Sequence, residues 1–193
     1  MRGHHRVHHK LGIEELEPRI APAAVGWGEL GVASAWDGGI SSNRGDSQQS
    51  SVVLGTDGNP IVAWMDNSGG DSEIYVRRWN GLSWVEMGTG SATGGGISDN
   101  SATSDRPSLA RGADGNPIVA WSDYSSGDRE IYARRWDGSA WVELGGSATG
   151  GGISNNAGAS YQPGLTIDGA GNPVVAWSDS SGGDREIYVR RLN

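Results

Sequence analysis

The residues best suited to chemistry in this chain are aspartates paired five positions apart. Asp66 with Asp71, Asp123 with Asp128, and Asp179 with Asp184 each bracket a short run of turn-forming residues. Carboxylates set among hydroxyls and backbone carbonyls are the kind of oxygen ligands that calcium gathers, in sets of about six to eight. The spacing is not that of an EF-hand loop, and turn chemistry alone accounts for Asp, Ser and Gly in a tight connection. Calcium is therefore allowed rather than required, and no cofactor is expected.

A second constellation is aromatic. Trp79-Asn80-Gly81-Leu82-Ser83-Trp84 and Trp136-Asp137-Gly138-Ser139-Ala140-Trp141 are turns flanked by tryptophans. Facing aromatics lock a hairpin across its two strands, and an indole face also stacks on the C–H groups of a sugar. Trp79, Trp84, Trp136 and Trp141, with the six aspartates, are the candidate ligand-binding residues. Arg77-Arg78, Arg134-Arg135 and Arg190-Arg191 could bind an anion. Cross-strand pairing with Asp71, Glu73, Asp128, Glu130, Asp184 and Glu186 is the preferred explanation. Arg44-Gly45-Asp46 has no counterpart in the other repeats and reads as chance. His4, His5, His8 and His9 could chelate a transition metal adventitiously.

No catalytic constellation is evident. Cysteine is absent, the four histidines lie near the N-terminus, and no serine sits in a nucleophile-elbow pattern. Paired carboxylates could run glycoside hydrolysis, but these acids recur with the repeat, whereas an active site needs asymmetry or a central pore. The chain is expected not to be an enzyme.

The elements that position these residues follow from the repeat. Gly58-Asn59-Pro60-Ile61-Val62-Ala63-Trp64 recurs at Gly115 and at Gly171, 57 and then 56 residues further on. In the middle copy, Pro107–Arg111 reads as a strand, Ala113–Asn116 as a turn, and Ile118–Ser122 as a second strand opened by Pro117. Glu130–Trp136 alternates as a third strand, and Trp141–Leu144 returns from the Asp137-Gly138 turn as a fourth. A Gly-rich loop runs from Gly145 to about Tyr161. With 33 glycines, nine tryptophans and no phenylalanine, the chain is expected to be all-β, a propeller of four-stranded antiparallel blades. The loops between second and third strands should open on the same face as the Gly-rich connections, forming the candidate binding surface.

The ends bear on assembly. Gly26-Trp27-Gly28-Glu29-Leu30-Gly31 aligns with the fourth strand at Ala140–Gly145, whereas Glu186–Arg191 is a third strand with no fourth after it. The expectation is a tail over residues 1–24 and a three-repeat propeller segment over 25–193. Its opening strand, 25–31, would complete the last blade of another chain. Such strand exchange, a Velcro closure in trans, gives a homodimer of six blades in preference to a homotrimer of nine.

The net charge of −8 excludes a nucleic-acid surface, which needs a basic stripe. No apolar run is long enough to span a membrane, and no apolar core of a signal peptide opens the chain.

The two Trp hairpins resemble the Trp-Asp-Gly-x-x-Trp hairpins of fucose-binding propeller lectins, which implies a glycan ligand. The glutamate those lectins place before the first Trp is replaced here by Val76 and Ala133. Leu16-Glu17-Pro18-Arg19-Ile20 resembles the Leu-Glu-Pro-Arg leader of planctomycete surface proteins, which implies an extracytoplasmic or cell-surface bacterial protein. The function expected is a non-catalytic oligomeric propeller acting as a binding or surface scaffold for a glycan or protein. A lectin using the Trp hairpins is the alternative, and a glycosidase or sialidase-like enzyme is third.

Overall fold

A computed structural model describes residues 26–193. The four histidines and the Leu16–Ile20 motif lie outside the described residues. Eleven strands form three antiparallel sheets. The first joins β1 (Ser47–Leu54), β2 (Pro60–Asp66), β3 (Glu73–Trp79) and β4 (Trp84–Glu86). The second joins β5 (Ser104–Arg111), β6 (Pro117–Asp123), β7 (Glu130–Trp136) and β8 (Trp141–Glu143). The third joins β9 (Ser160–Ile167), β10 (Pro173–Asp179) and β11 (Glu186–Arg191). Each sheet is a meander in chain order, so the molecule is a partial β-propeller of three blades.

The local reasons are in the sequence. Gly58, Gly115 and Gly171 carry the positive φ that turns the first strand into the second. A proline then opens β2, β6 and β10, where it forfeits little of the ladder. Register pairs Trp64 with Tyr75, Trp121 with Tyr132 and Trp177 with Tyr188. The ring pairs are 6.0–6.3 Å apart, within the range where aromatic pairs add to simple burial.

Successive blades pack through their inner strands, β1 against β5 and β5 against β9. One apolar cluster, including Ile61, Val76, Met87, Leu109, Val119 and Trp121, lies between blades one and two. A second, around Ala120, Ile131, Ala133, Val175 and Trp177, lies between blades two and three. Hydrophobic burial in this fold is therefore largely between repeats, not within them.

The expected pairing of the arginines is revised. Arg78, Arg135 and Arg191 pair with Asp57, Asp114 and Asp168 of the turn between first and second strands. Asp71, Glu73 and their equivalents lie at the opposite end of the third strand, where Asp66 faces Glu73 and Ile61 faces Arg78. The other arginine of each pair reaches back to a carbonyl of the preceding connection: Arg77 to Ile40 at 2.6 Å and Arg134 to Ile97 at 2.7 Å. Strand 25–31 is expected to pair with another chain; in the single chain residues 26–29 are irregular, with Trp27 fully exposed.

Candidate functional site

The paired aspartates do not act together. Asp123 is buried at the end of β6, and its Oδ2 accepts from Trp121 Nε1 at 2.8 Å, Ser104 Oγ at 2.8 Å and Asn100 Nδ2 at 2.9 Å. Asp66 and Asp179 repeat this with Trp64, Ser47 and Asn43, and with Trp177, Ser160 and Asn156. Burial alone would raise the Asp66 carboxyl, but bonds from Ser68, Asn43, Trp64 and Ser47 outweigh it and hold the acid below its ordinary range. Asp179 is depressed in the same way, by Ser160, Ser181 and Asn156. Asp71, Asp128 and Asp184 instead lie exposed in the loops. Among the described residues no three His, Cys, Asp or Glu side chains gather as a metal site.

The buried acids join the blades. Glu73, at the start of β3, accepts from the backbone of Asn100 at 3.1 Å and from Ser98 Oγ, with Ser104 Oγ at 3.3 Å. Glu130 repeats this with Asn156, Ser154 and Ser160. Ser104 thus stands between Glu73 of one blade and Asp123 of the next, with a single hydroxyl proton for two carboxyl groups. A proton on Glu73 resolves the shortage, since Glu73 can then donate to Ser104 while Ser104 donates to Asp123. Burial, opposed by the bonds from Ser98, Asn100 and Ser104 and reinforced by the Asp123 charge, pushes Glu73 up to about 7.

The tryptophan hairpins are also engaged, each with the segment that precedes its blade. Trp84 Nε1 donates to the Leu30 carbonyl at 2.9 Å, and Trp141 Nε1 to the Met87 carbonyl at 2.8 Å. Trp79 lies over Gly31, where an added Cβ would meet its indole at 2.6 Å, and Trp136 covers Gly88 in the same manner. Within each hairpin the rings sit 5.9 and 5.8 Å apart.

A polar cleft of about 490 Å³ opens where the β6–β7 loop faces the Gly-rich connection after β8. Ser126, Asp128, Thr149 and Asn155 line it, and Tyr132 closes its floor by donating to the Gly150 carbonyl. The two loop sets therefore share one face. At the inner edge of that face lies a cluster that the sequence pattern did not single out. The Arg129 guanidinium sits 4.5 Å from the centre of the Tyr124 ring and 5.1 Å from that of Tyr161, and pairs with Asp105 at 2.6 Å. Arg185 and Arg106 approach Tyr161 at 4.5 and 5.8 Å, and among the described residues neither has a carboxylate partner. Arg106 is in the left-handed region at φ 54°, as are Gln49 at 55° and Gln162 at 54°, on the innermost strands. The β5 register shifts between Asp105 and Ser108, so a bulge turns these side chains toward the inner edge. The signal that could have found them is departure from the repeat. Gln48, Asp105 and Tyr161 align, as do Asn67, Tyr124 and Ser180, and Ser72, Arg129 and Arg185.

No protein-family model matches the sequence, and no curated protein matches it. Among solved structures, the chain resembles an endo-arabinase from Bacteroides thetaiotaomicron at 15% identity and TM-score 0.48, covering 76% of this chain and 56% of that one. It resembles a fucose lectin from Kordia zhangzhouensis at 15% identity and TM-score 0.47, covering 73% and 91%. It also resembles an alpha-L-arabinofuranosidase from Lactobacillus brevis at 11% identity and TM-score 0.49, covering 76% and 52%. The chain thus spans about half the length of these hydrolases. Glycoside hydrolases predominate among the neighbours, and the expectation that the chain is not an enzyme is withdrawn. The case against an active site was the recurrence of the acids with the repeat, and Asp105, Arg106 and Tyr161 have no like residue at the aligned positions of the other repeats.

Proposed function

We propose that this chain is a carbohydrate-binding propeller scaffold whose working surface is the face shared by the second-to-third-strand loops and the Gly-rich connections. The observation that carries this reading is the cluster at its inner edge, Tyr161 among Arg106, Arg129 and Arg185. Tyrosine rings offer a flat apolar face to a sugar, and guanidinium groups offer paired donors to hydroxyls or to an acid group. Arg129 is already held by Asp105 and acts as the support. Arg106 and Arg185 are the groups left to meet a ligand, which favours a saccharide bearing a carboxylate or sulfate.

The test is binding of the whole chain to neutral and acidic oligosaccharides, with Arg185→Ala and Tyr161→Ala alongside. Binding to acidic oligosaccharides that falls at least tenfold in both variants supports the reading. No binding to either class, or binding indifferent to both substitutions, overturns it. Release of aryl leaving groups from glycosides, measured on the same samples, reports whether bound sugar is also hydrolysed.

A further inference from the structure

Glu186–Arg191 is exposed along its whole length, although its counterparts in β3 and β7 begin with four buried residues. Ile187 is 77% exposed and Val189 63%, whereas Ile74, Val76 and Ile131 are fully buried. Glu73 and Glu130 each share three hydrogen bonds with the next connection and strand. Glu186 makes none among the described residues.

The covering pieces for such a face are present at the other end of the same chain. Ser34-Ala35-Trp36-Asp37-Gly38-Gly39-Ile40-Ser41 aligns with Ser91–Ser98 and Ser147–Ser154, and Asn43 and Ser47 align with Asn100 and Ser104. This segment is already seated on blade one in the way each connection is seated on the blade that follows it. Arg77 donates to the Ile40 carbonyl as Arg134 does to Ile97, and Trp84 donates to Leu30 as Trp141 does to Met87. Asn43 and Ser47 already hold Asp66. Among the described residues, only the side that would meet a preceding blade is uncovered. There an open cleft of about 330 Å³ is lined by Ile40, Ser41, Ser47, Val62 and Trp64. In the junction between blades two and three, Ile131 and Ala133 pack with Ile153, Val175 and Trp177, which align with Ile40, Val62 and Trp64.

We propose that the β11 face of one copy docks on the Leu30–Ser47 edge of a second copy, and that two chains close head to tail as six blades. Ile187 and Val189 then fill the cleft beside Ile40, Val62 and Trp64. The Glu186 carboxyl takes Ser41 Oγ, the Asn43 backbone N–H and Ser47 Oγ, as Glu73 takes Ser98, Asn100 and Ser104. The Ser34 hydroxyl donates to the Val189 carbonyl, as Ser91 does to Val76 and Ser147 to Ala133. Gly164 stands where Ser51 and Ser108 accept a backbone N–H from the next blade, so this junction lacks one bond of the series. The contact is heterologous, and two copies of a three-blade arc give a blade number within the usual range of about four to eight.

The chain has no cysteine, which permits a site-specific test. A Glu186→Cys, Ser41→Cys double variant, oxidised at micromolar concentration, should form a covalently closed dimer, and either single variant should crosslink at least tenfold less. Light scattering of the unmodified chain should give twice the monomer mass. Ile187→Asp and Val52→Asp, both at exposed positions in one copy, should each give a folded monomer. An unmodified chain that stays monomeric at all concentrations overturns the contact, as does a dimer indifferent to both substitutions. A trimer broken by the same substitutions keeps the contact and overturns the six-blade ring.

Discussion

Trp121 donates its indole N–H to Asp123, two residues along the same strand, at 2.8 Å, with both side chains buried. Residues i and i+2 share one face of a strand, so the pair is prearranged before any blade meets another. Asn100 of the preceding connection and Ser104 of the adjoining strand β5 then reach the same carboxylate. Asp123→Ala leaves the Trp121, Ser104 and Asn100 donors without their acceptor, together with the exposed Ser125 hydroxyl. Unpaired buried groups cost about 1–3 kcal/mol each, so urea unfolding should show a loss of at least ~3 kcal/mol. A loss below ~1 kcal/mol would mean that water replaces the carboxylate.

Glu73 gives the fold a pH dependence of defined sign. Its folded value of about 7 lies above the ordinary 4.5, so between these limits the native state keeps a proton that the unfolded chain has released. That contribution is fully present below about 4.5 and is lost as pH rises through about 7. The urea midpoint should fall across this window. Glu73→Gln, whose amide N–H₂ can donate to Ser104 at every pH, should flatten the Glu73 part of the slope; an unchanged slope would assign it to other groups.

Two glycines with positive φ should respond differently to alanine. A Cβ at Gly96 would stand 2.2 Å from the Ile74 carbonyl oxygen and 2.5 Å from the Tyr75 ring, whereas one at Gly127 meets nothing within 4 Å. Gly127→Ala should cost only the backbone term of ~1 kcal/mol. Gly96→Ala adds a clash with backbone and should exceed ~3 kcal/mol. Equal losses in thermal unfolding would locate the strain in φ alone.

Trp136→Ala should behave as a stability variant. It removes a ring packed on Trp141 and Gly88, at a cost of about 3 kcal/mol by comparison with large-to-small core changes. Arg135→Ala removes only a half-exposed pair with Asp114 and should cost less than ~1 kcal/mol. Saccharide affinity of the folded fraction should be indifferent to both, which separates the hairpins from the Tyr161 cluster.

Much of the architecture was legible because the repeat displays each element several times. Glu130–Trp136 is observed at the bounds its alternation implied, and Pro117 opens its strand as its missing N–H requires. β5 begins three residues before the expected Pro107, at Ser104. Those residues pair across a bulge at Arg106, and nothing in Asp-Arg-Pro signals a left-handed arginine. The roles of the aspartates were not legible, because Asp123 and Asp128 look alike in a turn-rich string and differ in what β5 and the preceding connection bring to them. The Tyr161 cluster was hidden for the opposite reason. A pattern sought as recurrence passes over the positions where the copies differ.

Because Glu73–Ser104–Asp123 and Glu130–Ser160–Asp179 are built from the same residue types, the two junctions are interchangeable parts. A gene that gains or loses one whole copy would therefore yield blades that still fit their new neighbours. Copy number can drift in such a lineage without any junction being reinvented, and the ring can change size before its ligand site does.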